Sequence, residues 1–296
     1  MNIAHALLLA ALAATPALAA DPNYVKSVED WRAKADAGLK RDFGWLTFAG
    51  RYVLKQGENT FGTGEKNDIV FPKGLGPERM GSVFVEPGKV TVKLAPGVTM
   101  TKDGAPFTER VAGTDVEKRD WMTSGHMGFF VLEHDGKYVL RLADNASEVR
   151  KHFGNRVWYD VNESYKVKAR FVPYDPVRKI SIVNVLDEVS DEPSPGYIEF
   201  KLKGKTYKLD VIGDDDDGLF TILKDDTAGK TTYGSGRFLA VEPKPVANRT
   251  FDLDLNRAYN PPCAFSAFTT CPLPPKQNVL NTKIEAGEKY PPRKAG

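Results

Sequence analysis

Two arginines, Arg237 and Arg257, stand in the most chemically dense part of a 296-residue chain. A guanidinium presents its donors as a rigid planar fork, which matches the paired oxygens of a carboxylate or phosphate. Around them lie Tyr233, Asn256 and Tyr259, within Thr232-Tyr233-Gly234-Ser235-Gly236-Arg237 and Asn256-Arg257-Ala258-Tyr259-Asn260-Pro261-Pro262-Cys263. Donors, aromatics and rigid turns at this density exceed what solvation of a loop requires. The chemistry they suit is recognition of a small anionic or carboxylate-bearing ligand. Asp226 and Glu288 add two carboxylates, either of which suits the general base of an envelope hydrolase. A competing reading is structural: both arginines pair internally with Asp252, Asp254, Glu288 or backbone carbonyls and hold an irregular loop. A purely structural, partner-binding protein is the third possibility.

Other motifs do not carry chemistry. The run Asp214–Asp217 before Gly218 has the acidity of a calcium loop, but the alternate ligand position falls on Gly213 and the closing glutamate position on Lys224. It reads as a solvated hairpin turn. Gly229-Lys230-Thr231 lacks the first glycine of a phosphate loop, because Lys224 stands there. Ser235 is flanked two residues away by Tyr233 and Arg237, not by the glycines of a nucleophile elbow. His126 has no paired ligand at metal spacing. The expectation is therefore no metal and no cofactor.

The ends and the composition limit the partners. Residues 1–20 hold no charged side chain and end in Ala17-Leu18-Ala19-Ala20 after a short apolar run. That pattern predicts a secretory signal peptide over residues 1–19, with cleavage before Ala20 or one residue later, before Asp21. The protein is then expected in the periplasm or outside the cell, with no transmembrane segment. Forty-one basic against 39 acidic residues leave a charge of +2. So even a balance argues against nucleic acid as partner and leaves a small anionic ligand or an envelope protein. Cys263 and Cys271 are the two cysteines. In an oxidising compartment such a pair reads as a disulfide; a metal pair is the competing reading, and no third ligand accompanies it.

The elements that must position these residues are mostly strands. Val25, Val28, Trp31, Ala35 and Leu39 make one apolar stripe and predict a helix over Tyr24–Asp42, capped by Ser27 or Asp30 and anchored by Trp31. Beyond Gly44, short apolar stretches alternate with Gly, Pro and Asn. Strands are expected at Trp45–Phe48, Tyr52–Lys55, Ile69–Phe71, Ser82–Glu86, Val90–Leu94, Phe129–Glu133 and Tyr138–Leu142, with a short helix over Ala146–Phe153. A second group covers Tyr165–Val172, Lys179–Asn184, Tyr197–Leu202, Tyr207–Ile212 and Leu219–Leu223, with an acidic, Pro-rich loop from Asp187 to Gly196. The fold class is thus mainly β: an N-terminal helix, a β-sandwich-like part and a second antiparallel part with a Pro-rich C-terminal loop cap. The expected units are residues 20–158 and 159–296, and regular structure is expected to thin out beyond Gly234.

The strings "DDTAGKTTYGSGRFL", "DLDLNRAYNPPCAF", "CPLPPKQN" and "EAGEKY" resemble domain-of-unknown-function family 1684. The earlier "GWLTFAGRYVLKQGENTFGTGEKNDIVFP" resembles the start of that family, so the resemblance spans roughly Trp31 to Tyr290. It implies that Asp226, Thr232, Tyr233, Gly236, Arg237, Asn256, Arg257, Tyr259, Asn260, Cys263, Cys271, Asn278 and Glu288 are shared motif positions. It carries over no catalytic residue. Separately, residues 51–107, with Gly57, Gly62-Thr63-Gly64 and Asn67-Asp68-Ile69, are similar to a forkhead-associated β-sandwich. That similarity implies sandwich architecture. The Arg, Ser and His with which that family reads phosphothreonine have no match at Thr63-Gly64 and Arg79-Met80-Gly81-Ser82.

Overall fold

A computed structural model of the protein describes residues 21–134, 136–214 and 218–290. The stretch expected to be a signal peptide, residues 1–19, and Asp215–Asp217 of the expected hairpin turn lie outside the described residues. Helix α1 spans Pro22–Leu39. Its cap is Asp21, whose carboxylate accepts from the Asn23 amide at 2.9 Å, and Pro22 opens the first turn. Ser27 and Asp30 therefore do not cap: the Ser27 hydroxyl donates to the Tyr24 carbonyl, and Asp30 pairs with Lys26. Trp31 meets Trp158 edge-on at 5.7 Å and Tyr259 at 6.2 Å. The Tyr24 hydroxyl donates to Asp254 at 2.8 Å. The helix is thereby fastened to the C-terminal half of the chain.

Eleven strands follow: β1 Phe48–Val53, β2 Gly57–Gly62, β3 Ile69–Val70, β4 Gly81–Glu86, β5 Lys89–Leu94, β6 Met100–Lys102, β7 Ala105–Phe107, β8 Glu109–Ala112, β9 Met122–Ser124, β10 Met127–His134 and β11 Lys137–Asp144. They form two sheets, ordered β1-β11-β10-β9-β6-β7 (sheet I) and β3-β2-β4-β5-β8 (sheet II). Phe61, Val83 and Val92 from sheet II pack against Met122, Phe129 and Leu140 from sheet I, all fully buried. This is the interior of a sandwich, and side chains two apart along each strand build it. A turn through Pro87-Gly88 closes the β4–β5 hairpin between two expected strands, with Glu86 opposite Lys89. Helix α2 (Glu148–His152) ends this part, capped by Ser147 through the Arg150 amide.

The third sheet contains β12 Lys166–Val183, β13 Val189–Leu202, β14 Lys205–Asp214, β15 Gly218–Leu223, β16 Arg237–Ala240 and β17 Thr250–Asp254. Its order is β16-β15-β14-β13-β12-β17. Two expectations are corrected here. The stretch expected to be a loop, Asp187–Gly196, lies largely in β13, where it pairs with β12 from Val183↔Val189 to Arg178↔Ser194. β14 joins β13 only from Gly196 onward, so Pro193 and Pro195 sit on an open edge that needs no amide donor. The two strands expected at 165–172 and 179–184 are one strand with an irregularity between Pro173 and Arg178. Beyond Gly234, β16 and β17 are regular. One face of sheet III packs Ile198, Leu209 and Leu253 under Leu255, Leu280 and Ile284 of the C-terminal segment. Its other face carries Ile182, Ile212 and Ile222 and turns toward sheet I.

Candidate functional site

The C-terminal residues singled out by sequence are drawn into a framework. Arg237 is 1% exposed and its fork is filled: Nη1 donates to the Ala286 carbonyl, and Nη2 reaches Asp225 Oδ1 at 3.3 Å and the Ile284 carbonyl at 3.1 Å. Asp225 in turn accepts from the Ile284 amide and the Thr227 hydroxyl. Burial pulls the Arg237 pKa down, and Asp225 opposes that pull. Gly236 explains the glycine before it: φ is +96°, and a Cβ there would stand 2.7 Å from the Leu223 carbonyl. Arg237 clamps residues 284–286 onto sheet III and has the internal role of the competing reading.

The others are mostly framework too. The fully buried Asn256 amide donates to the Tyr24 hydroxyl, the Asn162 carbonyl and Asp254, which ties α1 to sheet III. Arg257 pairs with Asp254 at 3.3 Å. Tyr259 lies between Trp31 and Phe238, and burial raises its pKa. Tyr233 meets Tyr290 at 5.0 Å, and Asp226 is exposed, held by its amide to Thr282. Glu288, 1% exposed, accepts from Arg156 Nη1 and the Asn260 amide, both at 2.7 Å. Burial pushes it up to about 7 despite Arg156. It borders a cavity with Phe153, Arg156, Asn260 and Phe265, while Tyr259 borders a different one beside Trp31. Neither of these two cavities is lined by Arg237, Arg257, Tyr233 or Asn256.

An unpaired guanidinium occurs elsewhere, in a cleft of about 610 Å³ between sheets I and III. Arg141 projects into it from β11. Antiparallel pairing puts Arg51 of β1 directly opposite on one side and Phe130 of β10 on the other. Arg119, from the loop before β9, lies over the Phe130 ring at 5.8 Å, and Arg141 over the Phe48 ring at 5.6 Å. Arg141 is only 8% exposed, yet its Nε and Nη1 are buried and donate to no acceptor among the described residues. Burial, with Arg51 and Arg119 adding, lowers its pKa to about 10. Among the described residues no carboxylate forms an ion pair with Arg51, Arg119 or Arg141.

The facing wall is different in chemistry. Sheet III presents Ile182, Ile212 and Phe220, with Glu188 and Glu192 at one end. Both carboxylates have partners: Glu188 accepts from Asn184 at 2.9 Å and lies 3.7 Å from Lys137, and Glu192 accepts from Ser190. The Asn184 amide does most to hold Glu188 below its ordinary pKa, with Arg51, Lys137 and His134 adding. The rim is Thr269, Thr270 and Pro272, in or next to the loop closed by the Cys263–Cys271 disulfide, whose Cα atoms are 6.1 Å apart. A buried cation with unsatisfied donors is unfavourable by about 1–3 kcal/mol per lost hydrogen-bond partner. An oxyanion in the cleft removes that penalty and screens Arg51 from Arg141.

Sequence reasoning passed over this site. Its one local signal is a charge in Val139-Leu140-Arg141-Leu142-Ala143, a strand otherwise apolar on both faces. An arginine there has no solvated side to point to once both faces are covered. At the forkhead-associated-like stretch, Arg79 donates through Nη2 to Ser82 and lies 3.6 Å from Glu58.

The fold is that of a mainly β protein with an N-terminal helix and three sheets. Residues 151–289, the later part of the chain, match the family DUF1684, described as a protein of unknown function. The match takes in the four C-terminal strings up to Lys289, with Arg237, Asn256 and Glu288, whereas Arg51, Arg119 and Arg141 lie before it. Among solved structures, the chain is similar to the solution NMR structure of an uncharacterized protein from gene locus rrnAC0354 of Haloarcula marismortui. The identity is 28%, over 49% of this chain and 81% of that one, with a TM-score of 0.42. No curated protein matches the chain.

Proposed function

We propose that this is an exported binding protein for a small anionic, carboxylate-bearing ligand, and that the ligand sits in the cleft between sheets I and III. One observation carries the reading: the nearly buried Arg141 fork, backed by Arg51 and Arg119, has no acceptor for Nε or Nη1 among the described residues. Four basic side chains, these three and Lys137, line the cleft against two carboxylates. The apolar leader supports export, and its test is the N-terminus of protein taken from the native host, expected at Ala20 or Asp21. Among the described residues no helix is long and apolar enough to cross a membrane.

The binding test is native mass spectrometry of protein purified from its own envelope fraction, followed by titration calorimetry with the anion that co-purifies. Acetate and benzoate serve as probes where none does. Binding that vanishes in Arg141→Met supports the site. Equal binding by that variant refutes it.

A second reading, hydrolysis with Glu288 as general base, is favoured by one observation: a cavity-lining carboxyl raised to about 7, near the working pH of such a base. Turnover of p-nitrophenyl esters by the wild type, lost in Glu288→Gln, would favour it over binding alone.

A further inference from the structure

We infer that the ligand is an amphipathic carboxylate with one planar oxyanion on Arg141 and an aliphatic body lying between the two apolar walls. This rests on the anion-binding reading and specifies the ligand's other end. Sheet I offers Phe48 and Phe130, which form a small cluster with Ala143, and Leu132 packs against it. Sheet III offers Ile182 and Ile212, which form another with Ile222, flanked by Phe220. The two clusters are separate cores, yet residues of both line one cavity. Phe130, Ile182 and Ile212 are nearly fully buried, but Trp45 and Leu132 on one wall and Phe220 on the other are only half-buried and keep apolar surface open to a space of about 610 Å³, where it meets water unless something apolar fills the space.

The size and charge narrow the class further. A cavity of that volume is in the range of about 300–1,000 Å³ that holds a small organic molecule, and a lone carboxylate would fill little of it. The buried fork provides for one planar, two-oxygen anion. Glu188 and Glu192 on the opposite wall repel any second negative charge on the ligand, which disfavours nucleotides and polyphosphates. A single acid group at one end of a straight or branched hydrocarbon meets all three conditions.

The test is calorimetric titration of the full mature protein with straight-chain carboxylates from acetate to decanoate, below their micellar concentrations, alongside decylamine. Each methylene buried is expected to tighten binding roughly three- to fourfold. Decylamine is expected to bind at least tenfold more weakly than decanoate, and Arg141→Met should abolish that preference. Phe220→Thr and, on the facing wall, Leu132→Thr should each flatten the dependence of affinity on chain length. Circular dichroism confirms that a variant is folded, and two variants on different sheets guard against the loss of one. Affinity that is Arg141-dependent but flat with chain length would overturn the amphipathic assignment and leave the anion site standing. Chain-length-dependent binding indifferent to Arg141→Met would overturn both, as would no binding by any carboxylate.

Discussion

Arg51 and Arg141 face each other directly across the β1–β11 pair, two like charges at one rung of an antiparallel ladder, and among the described residues no carboxylate forms an ion pair with either. Such a rung works against the sheet by about 0.2–1 kcal/mol, and burial of Arg141 adds the penalty of its unmet donors. A protein that keeps this arrangement holds strain that an anion relieves, so stability and binding should oppose each other at this position.

The first prediction follows from that opposition. Arg141→Met should raise the free energy of unfolding of the ligand-free protein by about 1–3 kcal/mol, because it removes a buried cation without orphaning a partner. Urea melts of both proteins measure the difference. A loss of stability would mean that Arg141 has an internal partner and that the cleft holds no waiting donor.

Arg237 should behave in the opposite way. Arg237→Met leaves Asp225 buried beside apolar neighbours and strips the Ala286 and Ile284 carbonyls of their donor. The expected loss is about 3–5 kcal/mol. Adding Asp225→Asn should return part of it, since the two residues act as one unit. A variant within about 0.5 kcal/mol of wild type would show that the clamp contributes nothing.

Glu288 gives a pH dependence whose sign is fixed by its burial. Its pKa is pushed up to about 7 from an ordinary 4.5. Between those values the folded protein holds a proton that the unfolded chain releases, so stability falls as pH rises through the window. The contribution is complete below about 4.5 and lost once pH passes about 7. Glu288→Gln cannot titrate, so the stability of wild type minus that of the variant should decline across this range and then level. A difference that instead rises with pH would mean that Arg156 outweighs burial.

The Cys263–Cys271 bond joins cysteines eight positions apart and closes a short loop that flanks the cleft rim. Chain-entropy reasoning puts its worth at roughly 2.5 kcal/mol. Reductant should lower the melting temperature by a few degrees and weaken benzoate binding, because Thr269 and Thr270 lose their anchor. Unchanged binding after verified reduction would separate the rim from the site.

Much of this architecture is legible along the chain, and the reason is local. Period-two alternation in Ser82–Glu86 and Val90–Leu94, joined by Pro87-Gly88, fixes β4, β5 and their hairpin without reference to anything distant. The stripe from Val25 to Leu39 does the same for α1, although its cap moved to Asp21 because Pro22 opens the helix there. The disulfide needed only two cysteines eight residues apart. Asp187–Gly196 looks like a loop in sequence but pairs as a strand, because proline content carries no information about which strand edge is open. The dense C-terminal motif announced that Arg237, Asn256 and Glu288 matter, but not whether their donors and acceptors face a ligand or one another. That depended on residues 225, 156, 260 and 284–286 arriving from elsewhere in the chain. The cleft was invisible for the same reason. Arg51, Arg119 and Arg141 are spread over ninety residues and meet only when β1 pairs with β11, and their shared face becomes a cavity only when sheet III is laid across it. Strand periodicity records which side of a sheet a residue takes; what covers that side is settled by packing between sheets.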